Sequence, residues 1–274
     1  VNKKNFTWKI NLNLTHYKNK ITYLPDEKKT TVMDGHGGYM NGSRYYGEDL
    51  PINTWYMKRF AGLSEDGLSL WYYTDKETNE EKTTTTYSTG DFYLCGDPNP
   101  DLYGGFGTSI TFHGFDLSTQ FSYLVGGLTY DYGYAGMMGN PTATSVGNRW
   151  HKDVLKAWSP ENPSSTIPRW HFNDLNTTGS SDRFLIDGSY LNLQNIQVGY
   201  TLPDSWTSHL KIKNLRLYFV CDNVYYWSKR KGLDPRRSIS GVGTSGKIAP
   251  FRTYSGGISL QFLSLIHISE PTRP

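Results

Sequence analysis

His16, His36, His113, His151, His171 and His209 are the side chains before residue 263 best suited to bind zinc or carry protons near neutral pH. None stands at zinc-ligand spacing from a second ligand within a partner motif. Asp34 and His36 in MDGHGG could touch a cation, but the glycines around them read first as a tight turn. Asp131, Asp182 and Asp187 could supply a glycosidase pair, a chemistry that needs two carboxyls at a set separation. GGFGTS (104–109) lacks the lysine of a Walker loop and enters a strand rather than a helix, so it cradles no phosphate. The Gly-x-Ser-x-Gly nucleophile turn is absent. No enzyme activity, cofactor or metal is therefore expected. What remains is an aromatic cluster, Tyr130, Tyr132, Tyr134, Trp150, Trp158 and Trp170, in one long polar stretch (128–181). Such rings can stack on sugars or meet a partner; they can equally pack the loop on itself.

The elements that must hold these residues read as strands. In PFRTYSGGISLQF (250–262), Tyr254, Gly256, Ile258, Leu260 and Phe262 share one face, and Thr253, Ser255, Gly257, Ser259 and Gln261 share the other. NFTWKINLNLTHY (5–17) repeats the pattern, with Phe6, Trp8, Ile10, Leu12 and Leu14 on one side. Period-2 runs of about ten residues suit a membrane-spanning barrel strand or a half-buried strand of a soluble sandwich. Residues 101–127 form a hairpin turning at His113–Gly114. Residues 51–62 and 68–75 read as strands, 76–90 as an exposed tip, and 149–158 as a helix stopped by Pro160. Residues 203–210 make a short connection with one helical turn. In 190–200 the apolar phase changes between Leu193 and Ile196, which predicts a β-bulge near Gln194–Asn195. Short joins near 113–115 and 203–210 alternate with long ones at 63–100, 128–181 and 226–249, as in outer-membrane barrels. The 18–50 connection is too long for its place in that alternation.

Composition narrows the class. The 274 residues carry 36% hydrophobic and 19% charged residues, with 28 Gly, 21 Tyr, 12 Phe and 8 Trp. So many aromatics argue against disorder, and the charge is below the soluble average of about 25%. A net charge of +3 does not indicate nucleic acid, and the run Lys229, Arg230, Lys231 reads as a solvated loop. Cys95 and Cys221 make no disulfide framework, and Cys221 continues the apolar face of Leu215, Leu217 and Phe219. No apolar run is long enough for a transmembrane helix, which leaves barrel strands open.

Three segments carry a family resemblance. GDPNPDLYGGFGTSITFHGFDLSTQFSYLVGG (96–127) resembles the Gly-Asn/Asp-Pro-x-Pro hairpin of SusC/RagA-like TonB-dependent outer-membrane transporters. SYLNLQNIQVGYTLP (189–203) is similar to their Ser-Tyr-Leu-Arg-Leu-x-Asn strand, with Asn192 where a basic residue is usual. IKNLRLYFVCDNVYYWSKRKGLDP (212–235) is similar to their penultimate strand, which ends in Asn-x-aromatic and a Gly-x-Asp-Pro loop. The resemblance implies an all-β fold: a partial antiparallel transmembrane β-barrel, about seven of roughly 22 strands, with long extracellular loops. Residues 1–262 would be the C-terminal part of the barrel. Residues 263–274 (LSLIHISEPTRP) look like a translated sequencing adapter, and Val1 reads as an internal start. Tyr254, Ile258, Leu260 and Phe262 would then form the terminal signal read by the barrel assembly machinery. The implied function is import of oligosaccharides or peptides across a Bacteroidota-type outer membrane. The implied partners are a SusD-like lipoprotein and the TonB–ExbB–ExbD complex. A soluble secreted glycan-binding module is the alternative, and a β-rich hydrolase the third reading. Either soluble fold would pack the apolar faces inward.

Overall fold

In a computed structural model, the described residues are all but Lys4, 144–148, Thr178, Lys211, 238–239, 243–249 and 263–274. The proposed adapter tail thus lies outside the described residues. Six long strands build one antiparallel sheet: β1 (Phe6–Thr15), β2 (Leu102–Phe112), β3 (Phe115–Val125), β4 (Tyr190–Thr201), β5 (Ile212–Ser228) and β6 (Thr253–Phe262), in chain order. A two-residue stub, Asn2–Lys3, pairs with β1 as the seventh strand.

The register carries one apolar face across the whole sheet. Ile10 pairs with Thr108, Leu12 with Phe106, Phe106 with Phe121, and Phe121 with Leu193. Val198 then meets Phe219, Leu217 meets Ile258 and Leu215 meets Leu260. These residues are not covered: Leu12 is 68% and Ile258 65% exposed. Among the described residues no second sheet packs on them, contrary to what a soluble sandwich or hydrolase requires. A continuous exposed apolar band needs an apolar solvent, and a hydrocarbon layer is one. An eleven-residue strand rises about 35 Å, and a tilt of about 40° leaves roughly the 25 Å of such a band. Cys221 belongs to this row, opposite Ile196 and Tyr254. It and Cys95 are both free.

The opposite face is polar, with Asn11, Ser109, Ser118, Gln120, Gln197 and Ser255 among its members. It carries an ion pair that spans three strands. Arg216 reaches across β4 to Asp116, with Nε–Oδ1 at 2.9 Å and Nη2–Oδ2 at 2.5 Å. The bridge passes over Gly199, where an added Cβ would lie 2.5 Å from atoms of both partners. Any other residue there would drive the pair apart.

The expected bulge is present. Pairing jumps from Leu193 to Asn195 in β4, so Gln194 is extra relative to β3 and flips the phase. Facing it, β5 inserts two residues, Asn223 and Val224, and so keeps its phase. Asn223 takes a left-handed φ of 52°, a conformation asparagine tolerates better than most. The hairpin turn is also as expected, with positive φ at both His113 and Gly114.

Three expectations are corrected. Residues 51–62 are not one strand: Thr54–Lys58 and Phe60–Leu63 join different small sheets outside the wall. The chain therefore leaves the wall once between β1 and β2, and the parity difficulty at 18–50 disappears. Long connections (16–101, 126–189, 229–252) all lie at one end of the wall, and short ones (113–114, 202–211) at the other. Finally, 149–158 is not an α-helix but a short 3₁₀ segment, Lys152–Lys156, since Val154 packs inward while Leu155 is fully solvated. The helical turn expected after Pro203 is found at Asp204–Thr207.

The two faces predict opposite responses to charge. Ile258→Arg, at mid-height on the apolar face, should cost about 2–4 kcal/mol. Ser255→Arg, on the polar face of the same strand, should cost under about 1 kcal/mol. Urea titration of heat-modifiable gel mobility in liposomes measures both; equal losses would contradict the assignment of faces.

Candidate functional site

The long connections hold the main buried core of the chain. Trp55 and Met57 come from the first connection, and Tyr130, Met138 and Phe184 from the second. Trp55 is fully buried, donates Nε1 to the Leu128 carbonyl at 3.1 Å, and lies under the Arg44 guanidinium at 3.1 Å from the ring centre. Arg44 also donates to the carbonyls of Asn53 and Ser240, the latter in the third connection. Burial lowers its pKa to about 10, so it stays charged at neutral pH. Tyr130 N–H donates to the Gly241 carbonyl, a second tie to the third connection.

This core absorbs part of the expected aromatic cluster. Tyr130 is buried against Trp55, Tyr132 and Phe184. Tyr134 is clamped between the Arg230 guanidinium, 3.7 Å above its ring, and the Asp153 carboxylate, 3.1 Å from its hydroxyl. Tyr132 borders an open cleft of about 450 Å³ between the second and third connections. Trp150 and Trp170 form an edge-to-face pair at 5.6 Å, with Phe172 exposed nearby in sequence. Trp158 lies elsewhere, across Gly67. The six rings thus form no single platform.

The three acidic candidates are spent on the backbone. Asp131 caps the turn 132–137 through Tyr134 N–H and pairs with Arg230. Asp187 accepts from Ser189. Asp182 accepts Phe60 N–H at 2.8 Å, and burial raises its pKa. Asp34 and Gly35, both at positive φ, form the turn between Met33 and His36. Cys95 packs on the loop core, where burial pushes its thiol up to about 11. Among the described residues, no three His, Cys, Asp or Glu side chains converge as metal ligands.

The charged junction was hidden from sequence reasoning. Asp234 and Arg236, from GLDPR, fold onto the polar face at the long-loop end. Arg236 grips Asp234 with Nε and Nη2, both at 2.7 Å. Its Nη1 donates to Asn192 at 2.6 Å and to the bulge residue Asn223 at 2.9 Å, and it lies over Tyr226 at 4.5 Å. Asp234 and Asn192 are buried. A guanidinium thus stands against position 192 although that position carries no base itself. The signal was the missing base at Asn192 together with an arginine two residues after Asp234. Beside this junction a recess of about 530 Å³ opens on the polar face. Tyr17, Tyr103, Tyr190, Pro98, Pro100 and Pro235 line it, so segments of all three motif regions meet there.

No family model matches the chain. Among curated relatives, TonB-dependent receptor P3 of Formosa agariphila is 28% identical, over 96% of this chain and 27% of its own length. TonB-dependent receptor SusC of Bacteroides thetaiotaomicron is 26% identical, over 94% of this chain and 25% of its own. Among solved structures, that of the RagAB peptide transporter superposes with a TM-score of 0.77 at 23% identity. It covers 95% of this chain and 28% of that one. The chain spans about a quarter of the length of the curated relatives it matches. Its homologues are TonB-dependent receptors, SusC among them, and its fold matches part of the RagAB transporter barrel.

Substitutions at Arg236 and Asp182 test the junction and the loop layer. Arg236→Ala strands the buried Asp234 carboxylate and should cost about 3–5 kcal/mol in urea unfolding of the reconstituted receptor. Adding Asn192→Arg, which returns a guanidinium from the strand, should recover part of it. For Asp182 the raised pKa means that its ionisation opposes folding: stability is fuller below the ordinary carboxylate pKa and falls as pH rises through the raised value. Asp182→Asn keeps an acceptor for Phe60 N–H, so at pH 7 it should leave loop resistance to proteolysis equal or higher. Asp182→Ala should lower it by about 1–3 kcal/mol.

Proposed function

We propose that this chain, a homologue of TonB-dependent receptors, is the C-terminal part of an outer-membrane importer that takes up oligosaccharides, with peptides as the second substrate class. The observation that carries the reading is the seven-stranded sheet with one face apolar and exposed and the other polar, bearing the Arg216–Asp116 and Arg236–Asp234 ion pairs. Such a wall faces hydrocarbon on one side and a wet lumen on the other. The long connections then lie outside the cell and the short turns in the periplasm. The recess beside Tyr17, Tyr103 and Tyr190 offers rings and uncharged polar groups on the path of a neutral sugar. Peptides are kept because the superposed RagAB structure is of a peptide transporter.

In this reading the TonB–ExbB–ExbD complex supplies the energy, through parts of the receptor not in this sequence. A SusD-like lipoprotein covers the mouth, with the exposed Trp170 and Phe172, and Trp150 packed edge-on against Trp170, as its contact surface on the second connection. Tyr132, at the cleft, is the ring best placed for ligand; Tyr130, Tyr134 and Trp158 act in packing. Tyr254, Ile258, Leu260 and Phe262, which end β6 on its outer face, serve as the signal for barrel assembly. Residues 263–274 stand apart from that domain as an adapter-derived tail.

Deletion of the whole gene in its host should abolish growth on the cognate oligosaccharide, and a plasmid copy should restore it only when TonB is intact. Uptake that survives loss of TonB would contradict the proposal. Trp170→Asp with Phe172→Asp should reduce lipoprotein co-purification without changing the amount of barrel in the membrane.

A further inference from the structure

At the long-loop end the strand β5 outruns β6. Their last pair is Asp222 with Thr253, yet β5 continues to Ser228. A recess of about 490 Å³ lies beside this overhang. Tyr225 and Trp227 line it, their rings edge-to-face at 4.8 Å. Both stand in the outward apolar row, paired with Leu193 and Leu191, and both are half exposed. Lys231 and Arg252 complete the wall. Arg252 stands two residues before Tyr254, so the period-2 alternation of β6, carried back one step, puts it on the outer side.

The two cations are unlike their neighbours. Arg230 pairs with Asp131, Arg236 pairs with Asp234, and Lys229 acts on Asp187. Among the described residues, no carboxylate lies within salt-bridge distance of Lys231 or Arg252. Two polar side chains of the recess wall are already engaged. Asn223 donates to the Pro250 and Phe251 carbonyls and accepts from Arg236, while the Ser228 hydroxyl meets the carbonyls of Arg230 and Leu233. The charge that faces a ligand is therefore positive, with the polar ends of Tyr225, Tyr226 and Trp227 beside it.

We infer that this recess binds the phosphate group of an outer-leaflet lipid. The inference rests on the membrane-barrel reading above. Tyr and Trp sit by preference where hydrocarbon gives way to headgroups, and cations at that level meet lipid phosphate. An ammonium and a guanidinium together can share the several acceptor oxygens of one phosphate. The recess is continuous with the apolar row below it, so an acyl chain attached to the phosphate has Leu193 and Tyr225 to lie against. Inorganic phosphate has no such chain and lacks that contact.

The test uses the full-length receptor, delipidated in detergent and offered phosphatidylglycerol or phosphatidylcholine under native mass spectrometry. Wild type should retain phosphatidylglycerol about tenfold or more over the Lys231→Gln/Arg252→Gln variant, from about 1 kcal/mol for each cation. The charge-preserving pair Lys231→Arg/Arg252→Lys should keep it. Phosphatidylcholine should be held weakly by all three, and excess inorganic phosphate should not displace the bound lipid. Equal retention by wild type and the glutamine variant, both migrating as heat-modifiable barrels, would overturn the inference. Displacement by inorganic phosphate would overturn it in favour of a free-anion site. A wild-type receptor that never shows heat-modifiable migration would overturn the barrel reading together with this one.

Discussion

Everything in the wall follows from the need to keep two solvents apart with one layer of backbone. Each strand must pair its amides with both neighbours, because an unpaired group in hydrocarbon costs several kcal/mol. At the same time every residue must stay on its proper side, and a slip of one residue reverses them all. The wall meets both demands in spite of extra residues. Gln194 makes β4 change phase where its own apolar residues change phase. Asn223 and Val224 add two residues to β5, an even number, and leave the outward row unbroken from Leu215 to Trp227.

The connections answer to a different rule. They lie in water and bury a core of their own around Trp55, Met57, Tyr130, Met138 and Phe184. Two of the cations buried in that layer are held by carbonyls. Lys58 is buried and gives its ammonium to the carbonyls of Tyr87, Ser88 and Gly90. Arg44 is held over Trp55 and by two carbonyls. At the boundary between wall and connections, Arg236 ties Asp234 to the strand residue Asn192 and the bulge residue Asn223. The bulge therefore serves both regions. It preserves the faces of the strand, and its left-handed asparagine offers side-chain groups to Arg236 and to the 250–251 backbone.

The wall was legible in the sequence because its rule is local. Alternation in 6–14 and 254–262, the His113–Gly114 turn and the phase change after Leu193 each show within a dozen residues. The loop layer obeys no short-range rule. Residues 51–62 read as one strand because nothing local marks the change of sheet, which depends in part on Asp182 binding Phe60 N–H from more than a hundred residues away. The aromatic cluster could be read as a contact surface or as loop packing for the same reason: the burial of Tyr130 is decided by Trp55 and Phe184, which are remote from it in the chain. The run Lys229, Arg230, Lys231 read as solvated because the partners of Arg230, Asp131 and Tyr134, lie on another connection.

The shared core of the three connections has an evolutionary consequence. Trp55 N–H binds the second connection, Arg44 binds the third, and Tyr130 binds both the first and the third. A homologous loop exchanged alone would arrive without its counterparts and leave holes or orphaned cations behind. Diversity at this mouth should therefore be inherited as a block. Recombination that swaps all three excursions, with the wall strands between them held in common, is the route open to lineages that remodel this end of the wall.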